Sequence, residues 1–191
     1  MMWRRLVAAS TVVVSAGGCG LPASGHIVRV DPTTVPFGLL HTAEPGTPGP
    51  QAVGPRTSVF FVRSDRLSVG PRRVVGDNVP AEAVRLLLDG PSPAEAARGL
   101  TTDVPAGTRL VSLDLSGPVA TVDLSSEFGT LGGSEQVLAV AQIVYTLTAS
   151  RYIDSVRFAI NGKPTEVPDG SGSLADTPRT RHDYAQLAPR G

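Results

Sequence analysis

Short runs of alternating apolar and polar residues recur along residues 57–167, and they predict β-strands. The strand-like runs are residues 57–63, 109–115, 119–124 and 154–160, with a weaker extended stretch at 66–75 and a short return strand at 163–167. Two segments, residues 80–89 and 134–149, instead place their apolar residues at helical spacing. The predicted order is therefore strand, helix, two strands, helix and strand.

Turn and cap residues bound these elements. Asn78 is a candidate N-cap of the first helix, which Gly90-Pro91 ends. Ser134 is the candidate cap of the second helix. The pairs Ser116-Gly117 and Asn161-Gly162 each predict a tight turn between two strands.

This order predicts an α/β (α+β) domain built on a single mixed sheet of about four strands plus a short hairpin strand. Both helices are expected to pack on one face of that sheet. The strand alternation predicts which residues face the helices: Val111, Leu113, Leu115, Val122 and Leu124. The residues predicted for the turn or the opposite face are Arg109, Ser112, Asp114, Thr121 and Asp123, and Arg157 is expected to share that face and to form cross-strand ion pairs.

The second helix is apolar around most of its circumference. Its only clearly polar stripe runs through Glu135, Gln142 and Thr146. A helix of this kind is buried on more than one side. The pattern favours burial between the sheet and the first helix, with contact to another protein as the alternative.

The first residues have the layout of an export signal. Arg4 and Arg5 precede an apolar run, Leu6–Val14, which is shorter than the roughly 20 residues of a spanning helix. Small residues then lead to Cys19, the only cysteine. The sequence AlaGlyGlyCys resembles the lipobox of bacterial lipoproteins and predicts a signal peptide at 1–18 and lipidation of Cys19. An ordinary signal peptide that leaves a free thiol is the alternative.

Composition divides the rest of the chain. Proline and glycine dominate the end of the segment 19–56, which predicts a tether and linker. The predicted domain spans 57–168, and the Gly-, Ser-, Pro- and Arg-rich segment 169–191 is predicted to be a C-terminal tail. Seventeen basic and seventeen acidic residues balance, so the charge gives no indication of a nucleic-acid partner.

No residue pattern predicts a catalytic, cofactor or metal site. The three histidines (His26, His41 and His182) lie far apart in predicted tethers and tails, and the Gly-rich loop 129–134 lacks the lysine of a phosphate-binding loop. Asp114 and Asp123 are candidate paired carboxylates, because they lie on neighbouring predicted strands, and Glu127 lies just beyond them. Binding of a ligand or chemistry on cell-wall sugars at this sheet face therefore stays open as an alternative.

Four blocks of sequence resemble the GerMN domain in the family's order: residues 85–110, 119–128, 141–148 and 156–164. Gly90-Pro91, the ProAlaGlyThr segment at 105–108 and the ValAspLeuSerSerGluPhe segment at 122–128 carry the resemblance. It implies a non-enzymatic module similar to ring-building motifs, with no catalytic residues to transfer. GerMN domains occur in sporulation and germination lipoproteins, usually in two copies, whereas this sequence holds one.

The combined expectation is a lipoprotein on the extracytoplasmic face of the cell membrane, anchored to the bilayer through acylated Cys19. Its GerMN domain is expected to be a non-catalytic interaction or assembly module of the cell envelope, with unidentified envelope proteins as partners and self-association possible. The candidate interaction surface is Arg109, Asp114, Asp123 and Arg157.

Overall fold

The computed structural model describes residues 54–190. The signal peptide, Cys19 and nearly all of the predicted tether lie outside the described residues. The strands are β1 Arg56–Arg63, β2 Arg66–Arg73, β3 Leu110–Ser116, β4 Val119–Leu124, β5 Ser155–Ile160, β6 Lys163–Pro164, β7 Val167–Pro168 and β8 Leu174–Ala175. The helices are α1 Val79–Leu88, α2 Pro93–Ala96 and α3 Gly133–Leu147, and 3₁₀ turns span Ser126–Thr130 and Arg181–Leu187.

A four-stranded mixed sheet forms the centre of the fold and confirms the predicted class. Its order is β3-β4-β5-β6. β3 and β4 are antiparallel and joined by the predicted turn at 116–117, whereas β4 and β5 are parallel and connected through α3. The Asn161-Gly162 turn joins β5 to β6 with both residues at positive φ, as a two-residue hairpin requires.

The first strand does not belong to this sheet. Of the strands, only β2 pairs with β1, in a separate antiparallel hairpin whose turn residues, Ser64 and Asp65, both have positive φ. The first strand was expected in the main sheet. The observed sheet instead has β6 as its fourth strand. Gly70, which interrupts the β2 pattern in the sequence, lies where a Cβ atom would come within 2.9 Å of the Phe61 ring.

A bulge in β3 overturns part of the predicted face assignment. The pairing shifts between Leu110 and Ser112, so Val111 is an extra residue in the strand. Val111 and Leu115 were expected to face the helices, but they are 54% and 53% exposed. Val122 and Leu124 are fully buried, as predicted.

The predicted N-cap residue is confirmed for α1 but not for α3. The Asn78 side chain caps α1 by accepting a hydrogen bond from the Ala81 amide at 3.1 Å. The predicted cap of the second helix was wrong: α3 begins after Gly132 and has no side-chain cap, and Ser134 lies inside the helix.

α3 lies at the centre of the hydrophobic core. Every residue from Ala139 to Leu147 is buried, which confirms the predicted burial on several sides. It contacts β1, α1, β5 and β7, and also the C-terminal 3₁₀ turn. Two of its polar residues, Gln142 and Thr146, are buried with the apolar ones.

The segment predicted to be a C-terminal tail is packed against the domain instead. Tyr184 is fully buried and donates a hydrogen bond of 2.6 Å to the Pro168 carbonyl. The buried Arg179 donates hydrogen bonds to the carbonyls of Val167 and Ser173. The composition of segment 169–191 is that of a tail, but the Tyr184 and Arg179 side chains satisfy backbone carbonyls of the short β7–β8 hairpin and the residue between its strands.

Candidate functional site

The outer face of the mixed sheet carries a row of polar side chains across three strands. Asp114 on β3 lies opposite Thr121 on β4, and Thr121 lies opposite Arg157 on β5. Asp114 and Arg157 are exposed, and Thr121 is partly exposed between them. The row places a carboxylate and a guanidinium on the same open face.

These two charges make only local contacts. The Ser112 hydroxyl donates a hydrogen bond of 3.1 Å to Asp114 Oδ2, and Arg157 Nη1 donates one of 3.2 Å to the Asp176 carbonyl. The expected cross-strand ion pairs do not form among the described residues, where neither Asp114 nor Asp123 pairs with an arginine. Neither charged group of the row therefore forms an ion pair within residues 54–190.

Asp123 was predicted to lie on this exposed face but is only 6% exposed. Its Oδ2 accepts a hydrogen bond of 2.9 Å from the Gly162 amide, and its Oδ1 is buried without a hydrogen-bond partner in the described chain. The carboxylate thus joins β4 to the β5–β6 turn. This contact removes Asp123 from the exposed pair of carboxylates on which wall-sugar chemistry would depend.

Arg109 lies just before β3, away from the polar row. Its Nη2 is 3.6 Å from Glu127 Oε1, in an ion pair that is largely open to solvent. Hydrogen bonding to Ser125 and to its own backbone, with a smaller contribution from Arg109, lowers the pKa of Glu127. The sequence placed Glu127 just beyond the candidate carboxylates Asp114 and Asp123, and in the structure it pairs with Arg109.

The structure therefore brings two of the four predicted residues, Asp114 and Arg157, into one surface row. Arg109 belongs to a separate exposed pair, and Asp123 belongs to the framework of the sheet. Thr121, which sequence reasoning placed on this face, completes the row.

Three cavities lie elsewhere, and none of the three is lined by Asp114, Asp123 or Arg157. One of about 720 Å³ lies between the start of β1, the start of α1 and the loop before β5, with Leu115 and Tyr152 in its wall. Another of about 670 Å³ lies beside the first turn of α3, where Asp65 is its only titratable lining residue. The third, of about 490 Å³, lies beside the β1–β2 turn.

Residues 54–190 contain no group of histidine, cysteine, aspartate and glutamate side chains arranged to hold a metal ion. Within the same residues, no helix has the length and apolar character needed to cross a membrane.

Comparison with protein families finds a match between residues 58–166 and the Germane family model, described as sporulation and spore germination. This match covers more than half of the 191 residues. No curated protein matches the chain significantly.

Two solved structures share the fold at low sequence identity. The first GerMN domain of the sporulation protein GerM from Bacillus subtilis is 21% identical, with a TM-score of 0.55 over 67% of this chain and 98% of that one. The tandem GerMN domains of the same protein are also 21% identical, with a TM-score of 0.54 over 68% of this chain and 47% of that one. The chain therefore spans about half the length of the tandem structure and matches one GerMN domain.

Proposed function

Because the chain belongs to the Germane family of sporulation and spore germination domains, we propose that it is an anchored, non-catalytic interaction module of the cell envelope. The observation that carries the proposal is the outer face of the sheet. There Asp114 and Arg157 stand exposed in one row, outside the three cavities and free of mutual ion pairing. An open face with charges of both signs suits a protein partner, because complementary charges on the partner fix orientation and register.

The N-terminal sequence supports the anchoring part of the proposal. An export-type segment leads to Cys19, and lipidation at that residue would hold the domain at the extracytoplasmic face of the membrane. Each buried methylene of an acyl chain contributes about 0.8 kcal/mol, so two chains give stable binding. We expect Cys19→Ser to move the protein from the membrane fraction to the soluble fraction. Persistence of this variant in the membrane fraction would contradict the lipid anchor.

The interaction part is tested by affinity capture of the full chain from detergent extracts of its host. We expect recovery of a reproducible envelope partner that is lost when Asp114 and Arg157 are both replaced by alanine. The matched control replaces Arg98 and Glu166, an exposed arginine and an exposed glutamate outside the row, and should retain the partner. Equal recovery with both double variants would remove the outer face from the proposal.

A different variant, Asp123→Ala, tests the alternative of ligand binding or wall-sugar chemistry. That alternative requires wall fragments to bind or to be cleaved, with loss of the effect in Asp123→Ala while the fold is kept. The hydrogen bond from Gly162 to Asp123 favours a structural role for this carboxylate. Wall-fragment binding that depends on Asp123 in a folded variant would favour the alternative over the interaction module.

A further inference from the structure

The described strands protect their free edges in different ways, and β3 is the exception. An unpaired edge exposes backbone donors and acceptors to another chain, and proteins usually cover it, shorten it or place lysine and proline on it. β6, at the far edge of the mixed sheet, is only two residues long and consists of Lys163 and Pro164. β2 carries Pro71 and three arginines along its eight residues.

The free edge of β1 is covered in its second half, at Phe60 and Val62. The Phe60 amide donates to Thr146 Oγ1 at 3.1 Å, and the Phe60 carbonyl accepts from Gln142 Nε2 at 2.9 Å. Val62 exchanges two backbone hydrogen bonds of 2.8 Å with Thr101. At these two residues the edge is therefore closed by α3 and by the segment that follows α2.

β3 has only one protective feature, the bulge at Val111. Its seven residues, LeuValSerLeuAspLeuSer, include no lysine, arginine or proline. β4 pairs with one edge of β3, and among residues 54–190 no backbone group of Leu110–Ser116 bonds to anything else. Two of its apolar residues, Val111 and Leu115, are more than half exposed. The bulge lies at the start of the strand, and the pairing with β4 is regular from Ser112 to Ser116.

We propose that the β3 edge pairs with β3 of a second copy of this chain, antiparallel, with Leu113 on the two-fold axis. In this register each Ser112 lies opposite Asp114 of the other copy, and each Val111 lies opposite Leu115. Within one chain the Ser112 hydroxyl donates a hydrogen bond to Asp114. In the proposed pair the same hydroxyl can donate to Asp114 of the other copy. The two mixed sheets then form one continuous sheet.

Charge selects this register over its neighbour. Moving the axis to Asp114 would place two carboxylates directly opposite one another, which is destabilising in a strand pair. With the axis at Leu113, the two carboxylates are diagonal and each faces a neutral hydroxyl. An isologous arrangement of this kind closes on itself as a dimer.

The pairing involves one short strand, so its area lies below that of stable dimers, which bury about 1,200–2,000 Å². We therefore expect weak association, with a dissociation constant of about 0.1–1 mM in solution. The proposal uses the free backbone edge of β3, and it shares Asp114 but not Arg157 with the outer row. Its failure would leave the proposed envelope function standing, and failure of that function would leave the pairing standing.

Disulfide trapping tests the register directly. Full-length chains in detergent, all carrying Cys19→Ser, receive either Ser112→Cys or Asp114→Cys, and one of the two carries a tag. Directly opposed residues lie about 5 Å apart, within disulfide range, whereas residues displaced by two positions lie beyond the limit of about 7 Å. We expect the mixture to form tagged–untagged disulfide dimers at least tenfold faster than either variant alone.

The matched control mixes Arg98→Cys with Glu166→Cys, two exposed positions away from the edge, and should cross-link slowly. Three results would overturn the proposal. One is a mixture no faster than this control, as expected if another part of the chain or a different partner covers the edge. The second is Asp114→Cys alone cross-linking as fast as the mixture, which places the axis at Asp114. The third is sedimentation of the unmodified full chain as a monomer at millimolar concentration.

Discussion

The free edges of β1 and β3 have the same backbone chemistry but different surroundings. At β1, side chains from α3 satisfy both polar groups of Phe60, and Thr101 satisfies those of Val62. At β3, the backbone of the described chain has β4 as its only partner. The comparison teaches that buried polar side chains can bond to the backbone of an edge strand, whereas β3 carries only a bulge at its start.

Removal of the Gln142 side chain, which bonds to the β1 edge, should cause the largest loss of stability. Its Nε2 donates to the Phe60 carbonyl, and its Oε1 accepts from the Asp103 amide, each at 2.9 Å. Gln142→Ala leaves both groups without this partner and opens a cavity at a fully buried position. We expect a loss of about 3 kcal/mol in the free energy of unfolding, measured by urea denaturation.

Gln136→Ala on the same helix is the control, because Gln136 is only partly buried, and it should change stability by less than about 0.5 kcal/mol. Equal stability of the two variants would show that the closed β1 edge does not depend on Gln142.

The closure of β1 marks the limit of what the sequence could predict. Alternation and helical spacing located the main strands and helices to within two residues, and Asn161-Gly162 identified its hairpin. The polar stripe through Gln142 and Thr146 was visible, but its role depends on β1, which lies more than eighty residues away in the chain. Periodicity describes a helix face and does not identify the element that the face meets.

The misplaced site residues have equally specific causes. Strict alternation assigned Val111 and Leu115 to the core, but the bulge in β3 and its edge position expose them. Alternation placed Asp123 on the outer face, but the β5–β6 turn brings the Gly162 amide to its carboxylate. The C-terminal segment has the composition of a tail, and its order depends on two side chains, Arg179 and Tyr184, that satisfy distant carbonyls.

The second-largest loss of stability is expected at β2, where Arg72 forms an ion pair with the buried Glu95. Glu95 accepts two hydrogen bonds of 2.6 Å from Arg72, and it also accepts from the Ser92 amide and hydroxyl at 2.8 Å. Arg72, followed by Ser92, lowers the pKa of Glu95 from 4.5 to about 2, against the opposing effect of burial. A pKa lowered by folding gives stability that is present above pH 4.5 and is lost as the pH falls towards 2.

We expect Glu95→Gln to cost about 2 kcal/mol at pH 7, because the amide cannot accept all four hydrogen bonds. The difference from the parent protein should shrink as the pH falls from 4.5 towards 2, as measured by denaturant unfolding at several pH values. A difference that stays constant over this window would show that the ionised Glu95 carboxylate does not stabilise the fold.

A smaller effect is expected from Thr146, the second side chain that closes β1. Thr146→Val keeps the shape of the side chain but removes the acceptor for the buried Phe60 amide. We expect a cost of about 1 kcal/mol and faster hydrogen exchange at that amide. The Val62 amide, which bonds to Thr101 instead, is the internal control and should exchange no faster than global unfolding requires. Unchanged protection of Phe60 would contradict closure by Thr146.

The smallest change in stability is expected from a substitution on the β3 edge, and this substitution also tests the proposed self-association. Leu115 is 53% exposed, so Leu115→Lys should change the free energy of unfolding by less than about 0.5 kcal/mol. A lysine on an edge strand opposes pairing with another chain, so the same substitution should weaken self-association at least tenfold in sedimentation equilibrium. Leu174→Lys is the matched control, because Leu174 is a similarly exposed leucine, at 58%, on another strand. If both lysine variants associate alike, the open β3 edge and the closed β1 edge do not differ in function, although they differ in structure.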